Sequence, residues 1–119
     1  MKKEFMFYIL NKENPKATMT QEQHLSFVRK CETYIQELLK SGNLMAAQPL
    51  SVNAIKLSKT QESWIVSEID PIGDLQVGYY HILASNFDEA IEIAKGNPEF
   101  AYVPNATIEI RAIKMQEES

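Results

Sequence analysis

The amino-acid sequence predicts a single α+β domain in which an antiparallel sheet carries two helices. Residues 77–96 support this class, because a strand pattern, VGYYHILAS, runs directly into a helix pattern, NFDEAIEIAKG. A longer helix pattern occupies residues 21–40. The other apolar segments are short and rich in β-branched or aromatic residues, which is typical of strands.

The composition and net charge of the chain argue against several classes of function. The chain has 119 residues, 45% of them hydrophobic and 24% charged, which is enough for one core and too apolar for disorder. A net charge of −4 disfavours nucleic-acid binding, which needs clustered positive charge. No apolar run approaches a membrane span, and one Cys with two His makes no zinc pattern. We therefore expect a cytoplasmic domain over residues 1–114, a tail over 115–119, and no metal, cofactor, nucleic-acid or membrane partner.

The first half of the chain begins with a strand. Residues 4–10, EFMFYIL, are apolar on both alternating faces, which predicts a central strand covered on both sides. Thr20 and Gln23 fit a capping box for the helix over 21–40, and Gly42 fits the position just after its end. The residues expected to face inward from this helix are Leu25, Val28, Cys31, Ile35, Leu38 and Leu39, with Phe27 and Tyr34 on one flank.

A third strand pattern and a hairpin follow the first helix. Residues 44–50, LMAAQPL, predict a strand that ends near its proline. Two short strand patterns at 53–57 and 63–68 flank the polar segment SKTQ, which predicts a hairpin. The strand at 77–85 comes next.

The second helix should begin with Ser85 or Asn86 as its N-cap and end at Gly96. Its expected inward residues are Ala90, Ile91 and Ala94, with Phe87 one turn earlier. Residues 98–104 read as a connection. Residues 106–114, ATIEIRAIK, alternate cleanly and predict the last strand.

The order of elements is β-α-β, a hairpin, then β-α-β. Without the hairpin this is the ferredoxin-like βαββαβ plan, an antiparallel sheet with two helices on one face. The strands at 4–10 and 77–85 are neighbours in its centre, and both are apolar on the face that has no helices. Soluble monomers rarely expose such a patch. We therefore expect a homodimer that packs sheet face against sheet face.

Four segments carry a resemblance to known proteins. They are ELLKSGNL at 37–44, AAQPL at 46–50, VGYYHILASNFDEAIEIAKGNPEF at 77–100 and IEIRAI at 108–113. In this order and spacing they resemble the YCII-related, or DGPF-domain, family of small dimeric α/β-barrel proteins. The resemblance implies that fold, a homodimer, and a cleft between helices and sheet. It implies no particular reaction, because most members have none assigned.

Two departures from the family pattern bear on the site. The Asp-Gly-Pro-Phe signature is replaced by SEIDPIG at 67–73. The helix histidine of a dyad proposed for shorter members falls at Cys31 here, so that dyad is not transferred. Arg111 matches the Arg of the family's iEVRPi pattern.

His24 is the candidate catalytic residue. It continues the apolar stripe of the first helix, at helical spacing from Val28 and Cys31. A half-buried imidazole at the mouth of a cleft can act as a general base, with Asp70 as its orienting carboxylate. The alternative is a boundary histidine that caps the core or binds a loop carbonyl.

Four further residues are candidates for ligand contacts. Arg111 shares a strand face with Glu109, so it can bind a ligand carboxylate or phosphate, or form a salt bridge. His81 can contact a ligand or pair across strands. Trp64 and Tyr80 can line an aromatic pocket or form a protein contact.

Two functions are consistent with these patterns. The first is a homodimeric small-molecule-binding protein that performs proton transfer or elimination on a small organic substrate. Its pocket would lie on the uncovered sheet face or near the start of the first helix, with His24 as base, Asp70 as its partner and Arg111 as anion anchor. The second is a non-catalytic interaction module that offers its edge strands or hairpin to a partner protein. A concave pocket would favour the first.

Overall fold

The computed structural model describes residues 2–12, 19–69 and 75–115. The α+β class is confirmed. Asp70 and residues 116–119 of the expected tail lie outside the described residues. The elements are β1 (Lys3–Asn11), α1 (Gln21–Lys40), β2 (Leu44–Pro49), β3 (Ile55–Thr60), β4 (Ser63–Glu68), β5 (Leu75–Ala84), α2 (Phe87–Lys95), α3 (Glu99–Tyr102) and β6 (Thr107–Ala112).

The described strands form two sheets. A four-stranded sheet has the order β2-β5-β1-β6, and every neighbouring pair in it is antiparallel. The strands β1 and β5 occupy its centre, as their apolar patterns predicted. The strands β3 and β4 form a separate antiparallel hairpin.

The core lies on one face of the four-stranded sheet. Phe7 of β1 and Ile82 of β5 are 0% exposed, and both helices pack over them. Burial of each such large apolar side chain contributes about 1.5–3 kcal/mol. The helix residues in this cluster are Tyr34 and Leu38 of α1 and Ala90 and Ala94 of α2.

Both long helices start with the caps that the sequence predicted. Thr20 and Gln23 form the reciprocal capping box of α1. The N-cap of α2 is Asn86, whose side chain accepts a hydrogen bond from the Glu89 backbone N–H at 2.9 Å. Gly42 follows α1 with a φ of +76°, the left-handed conformation that glycine adopts without strain.

The buried stripe of each helix is narrower than predicted. Tyr34, expected on a flank, is buried. The residues expected to face inward that are exposed are Leu25, Val28 and Leu39 of α1 and Phe87 and Ile91 of α2. Tyr34 tolerates burial because its hydroxyl donates to the Ile93 carbonyl oxygen at 2.7 Å. The buried part of each helix is therefore one i, i+4 pair: Tyr34 and Leu38 in α1, and Ala90 and Ala94 in α2.

Three local expectations were wrong in detail. Residues 98–104 were expected to be a connection, but Asn97 and Pro98 start the short helix α3, where the Asn97 side chain accepts from the Glu99 N–H. The hairpin turn is tighter than predicted, because β3 continues to Thr60 and only residues 61–62 turn. The third expectation is that alternation along 77–85 places Val77 on the same face as His81. Instead, a register shift between Ile9 and Leu10 makes Val77 a bulge in β5, so it packs against the core.

The hairpin of β3 and β4 projects with every residue exposed. Cross-strand pairing places four apolar residues on one side of it, which we call the hairpin face. Its members are Ile55 (70% exposed), Leu57 (61%), Trp64 (66%) and Val66 (64%). In the described part of the chain, no helix has the length and apolarity needed to cross a membrane.

Candidate functional site

A cleft of about 510 Å³ lies between α1 and the β2–β5 side of the sheet. This volume is in the range of small-molecule sites. The α1 wall consists of side chains at helical spacing, namely His24, Phe27, Val28, Cys31, Glu32 and Ile35. The opposite wall and floor consist of Ile9, Ala47, Gln48, Val77, Gly78, Tyr80 and the segment 49–52, and Glu99 of α3 also lines the cleft.

Two backbone features shape the floor of the cleft. Gly78 lies where β5 meets the end of β2, and a Cβ there would be 3.1 Å from the Gln48 carbonyl oxygen. That distance is too short for an ordinary contact, so glycine allows the two strands to approach. The bulge at Val77 packs that side chain against the core on the cleft side. The floor is thereby apolar.

Glu99 is the buried acidic group of the cleft. Glu99 is only 7% exposed, and the side-chain N–H₂ of Asn11 donates a hydrogen bond to its Oε1 at 3.0 Å. Burial raises the pKa of the Glu99 carboxyl above its ordinary value, and the hydrogen bond from Asn11 partly opposes that shift. The carboxyl therefore holds its proton at a higher pH than an exposed glutamate does.

Three buried polar atoms have no hydrogen-bond partner among the described residues. They are Oδ1 of Asn11, Nδ2 of Asn97 and Nδ1 of His24. Only His24 among these three residues lines the cleft. An unpaired buried polar atom is costly, so the His24 ring would gain from a reorientation that lets Nδ1 reach a partner in the cleft.

Cys31 and Tyr80 line the cleft as protonated groups. Burial, with smaller contributions from Glu99 and Glu32, raises the pKa of the Cys31 thiol to about 12. Burial also raises the pKa of the Tyr80 hydroxyl, and Cys31 and Glu99 add to that shift. A thiol with such a pKa is a poor nucleophile. Cys31 is therefore a packing residue, as the sequence indicated, and Tyr80 can offer a hydroxyl hydrogen bond.

The structure brings together two of the sequence-predicted site residues, His24 and Tyr80. Arg111 and His81 lie elsewhere, on the sheet face opposite to the helices, because both pair with Met6 of β1 in the register. Trp64 lies on the hairpin, with the Lys59 ammonium 4.9 Å from its ring centre. Asp70, the proposed partner of His24, is outside the described residues.

We call the helix-free side of the four-stranded sheet the open face. It is defined by Met6, Tyr8, Tyr79, His81 and Arg111. On it, Nε2 of His81 lies 2.8 Å from Oε1 of Glu4. This contact corresponds to the cross-strand pairing that the sequence left open as the alternative for His81.

The sequence reasoning missed Glu99 and its partner Asn11. Asn11 ends β1 on the same alternating face as Phe7 and Ile9, which are both buried. An asparagine that continues a buried apolar face signals a buried polar contact. Its partner lies 88 positions away in the sequence, so this signal could identify Asn11 but not Glu99.

No protein-family model matches this chain, and no curated protein matches it. Within residues 2–12, 19–69 and 75–115, no group of three or more His, Cys, Asp or Glu side chains is arranged to hold a metal ion. The cleft combines apolar walls with a few convergent polar groups, as small-molecule sites do.

Proposed function

We propose that this protein binds a small organic molecule in the cleft and transfers a proton on it, with the Glu99 carboxyl as general acid and base. The observation that carries the proposal is a buried carboxyl with a raised pKa in an apolar cleft. Enzymes commonly raise a carboxyl pKa in this way to perform acid–base chemistry near neutral pH. The reaction classes are proton transfer and elimination.

The neighbours of Glu99 have separate roles in this proposal. Asn11 holds one carboxyl oxygen by its 3.0 Å hydrogen bond, which fixes the orientation of the group. The imidazole of His24 and the hydroxyl of Tyr80 offer polar contacts that orient the ligand. Arg111 lies on the opposite face of the sheet and has no role in the cleft, and Asp70 lies outside the described residues.

We also propose that the chain is a YCII-related protein with the ferredoxin-like plan. The strand order supports this: when the hairpin is left out, β2-β5-β1-β6 with antiparallel neighbours is the order that the plan requires. A cleft between a helix and the sheet is also what the family resemblance implies.

We propose further that two copies pack open face to open face in a dimeric α/β barrel. Met6, Tyr8 and Tyr79 on the two central strands are only half-buried, while the described helices pack on the other side of the sheet. Apolar side chains in the middle of a sheet are normally covered. A second copy presents the same surface and covers it by symmetry.

The acid–base role is tested by ligand screening followed by isotope exchange. A thermal-shift screen of small acids, phenols, quinones, amines and nucleotides finds ligands, and each ligand is then incubated with the protein in D₂O. We expect ¹H NMR to show exchange or elimination at a carbon-bound proton. The Glu99→Gln variant should lower this rate by about 10²- to 10⁴-fold.

The matched control is Glu92→Gln, the same chemical change on the exposed side of α2, where Glu92 pairs with Lys95. It should leave the exchange rate unchanged. An equal rate in wild type and Glu99→Gln would refute the catalytic role of Glu99. Ligands that bind the cleft without any exchange or elimination would reduce the function to binding alone.

The homodimer is tested by analytical ultracentrifugation at micromolar concentration. We expect a dimer for the wild type and a monomer for Met6→Asp, which places a charge in the centre of the open face. Glu37→Gln, on the exposed side of α1, serves as a control that should stay dimeric. A monomeric wild type at this concentration would contradict the proposal.

One observation favours a second function, a protein-interaction module. The hairpin face exposes Trp64, Leu57 and two neighbours, and tryptophan is enriched at binding hot spots. If this is the main function, no small molecule will stabilise the protein, and Trp64→Ala will abolish binding of a partner while leaving the fold intact.

A further inference from the structure

The charges around the cleft restrict the ligands it can accept. Two acidic side chains line it, Glu99 at the buried end and Glu32 on α1. Among the described lining residues there is no lysine or arginine. The remaining polar groups of the lining are neutral hydrogen-bonding side chains and the imidazole of His24.

The side-chain donor that contacts the Glu99 carboxyl, Asn11, does not face the cleft. The Asn11 N–H₂ group donates to the Glu99 carboxyl, and the Asn11 residue itself is 0% exposed and does not line the cleft. A ligand carboxylate or phosphate that entered would lose its hydration and find no lysine or arginine among the described lining residues to replace it, whether Glu99 is protonated or ionised. Ionised Glu99 or Glu32 would add like-charge repulsion, which is strong in a medium less polar than water.

An uncharged or positively charged ligand meets a different environment. Hydroxyl and carbonyl groups can pair with the Glu99 carboxyl, the Tyr80 hydroxyl or the imidazole of His24, and an ammonium group can pair with Glu99. The apolar walls formed by Phe27, Ile35 and Val77 suit the hydrocarbon part of such a molecule.

We infer that the cleft selects small apolar molecules that carry one uncharged hydrogen-bonding group or one ammonium group, and that it rejects carboxylates and phosphates of the same shape. This inference rests on the proposed function, since it names the substrate class of the same cleft. It also explains why Arg111, the residue suited to hold an anion, is separated from the cleft by the thickness of the sheet.

The test uses three probes that share a benzyl-sized hydrocarbon and differ in charge: benzyl alcohol, benzylamine and benzoate. Dissociation constants at pH 7 are measured by NMR titration, and the backbone amides of Val77 and Gly78 report binding in the cleft. We expect benzyl alcohol and benzylamine to bind at least tenfold more tightly than benzoate, a difference of about 1.4 kcal/mol.

Substitution of Glu99 tests whether the cleft selects ligands by their charge, because Glu99→Gln changes the carboxyl while keeping nearly the same shape. In Glu99→Gln, which cannot ionise, we expect benzylamine to bind more weakly than in the wild type. In titrations repeated from pH 5 to pH 9, the preference for benzyl alcohol over benzoate should grow with pH more in the wild type than in Glu99→Gln, because only the wild type gains the charge of Glu99. Glu92→Gln should behave like the wild type. Benzoate that shifts the Val77 and Gly78 signals and binds as tightly as benzyl alcohol would overturn the inference and leave the cleft as a binding site. If none of the three probes shifts these signals, both the inference and the binding function of the cleft are contradicted.

Discussion

The covered face of the four-stranded sheet and the β3–β4 hairpin are both antiparallel and both carry apolar residues on one side. Phe7 on the covered face is 0% exposed, whereas Leu57 on the hairpin face is 61% exposed. The difference arises from what lies over the strands, because α1 and α2 pack on the sheet and no described element packs closely on the hairpin. Alternation thus selects which residues share a side, and tertiary packing decides whether that side is buried.

The largest expected difference between these regions comes from truncating one apolar side chain in each. Phe7→Ala should lower the free energy of unfolding by about 3–5 kcal/mol, because it leaves a cavity in the core. Leu57→Ala should change it by no more than about 0.5 kcal/mol. Urea unfolding measures both values. A loss above about 2 kcal/mol for Leu57→Ala would mean that the hairpin face is covered in solution.

Substitution of Asn11 tests the buried hydrogen bond at the end of β1. Asn11→Ala removes the hydrogen bond to Glu99 and should cost about 1–3 kcal/mol, because the carboxyl oxygen is left without that donor. Asn53→Ala, the same change at an exposed position, should cost no more than about 0.5 kcal/mol. Equal losses in urea unfolding would show that the contact between Asn11 and Glu99 contributes nothing.

The pH dependence of stability tests the burial of Glu99 itself. Its pKa is raised in the folded protein above the ordinary value of 4.5, so the folded state keeps a proton that the unfolded chain releases. Stability should therefore fall as the pH rises from about 4.5 through the raised pKa.

The variant Glu99→Gln cannot lose this proton, so its stability relative to wild type should increase as the pH rises through that window. Thermal unfolding measured from pH 4 to pH 9 checks the trend. Glu92→Gln, on the exposed surface, should run parallel to the wild type. A parallel curve for Glu99→Gln would show that the carboxyl is not buried in solution.

A smaller effect is expected at the helix start that helps to cover the sheet. Asn86→Ala removes the cap that accepts from the Glu89 N–H and should cost about 1 kcal/mol. Asn86→Gly should cost only a few tenths of a kcal/mol, because glycine leaves the first turn open to water. Thermal unfolding of both variants checks the order, and an equal loss in both would exclude a capping role.

The smallest effect is expected on the hairpin. The Lys59 ammonium lies over the Trp64 ring at an exposed site, so Lys59→Ala should cost about 0.5 kcal/mol. Lys56→Ala, on the other side of the hairpin, is the control and should leave Trp64 fluorescence unchanged. A loss as large as that of Phe7→Ala would remove the distinction between the two regions.

Most of the fold could be predicted from local patterns. Short aromatic and β-branched runs identified β1 and β5, and alternation identified β6. Capping signals placed the start of α1 at Thr20 and that of α2 at Ser85 or Asn86, because such signals act over a few residues. The exceptions depend on distant contacts. The bulge at Val77 and the burial of Tyr34 both depend on elements far away in the sequence.

The candidate site was predicted only in part for the same reason. His24 and Tyr80 were identified because each lies on a recognisable stripe or strand, and both line the cleft. Glu99 was overlooked because the segment around it reads as a connection. Its chemistry depends on Asn11, which only the folded chain brings within 3.0 Å.

By itself, the sequence determined the α+β class, the order of the strands and the two long helices, and the apolar residue types that build the core, since these follow from periodicity and end signals within each segment. Only the tertiary structure decided which side of each strand is buried and where the cleft lies. It also decided that a glutamate from α3 enters that cleft. Burial and pKa are properties of a group's surroundings, and those surroundings are assembled by contacts between residues far apart in the chain.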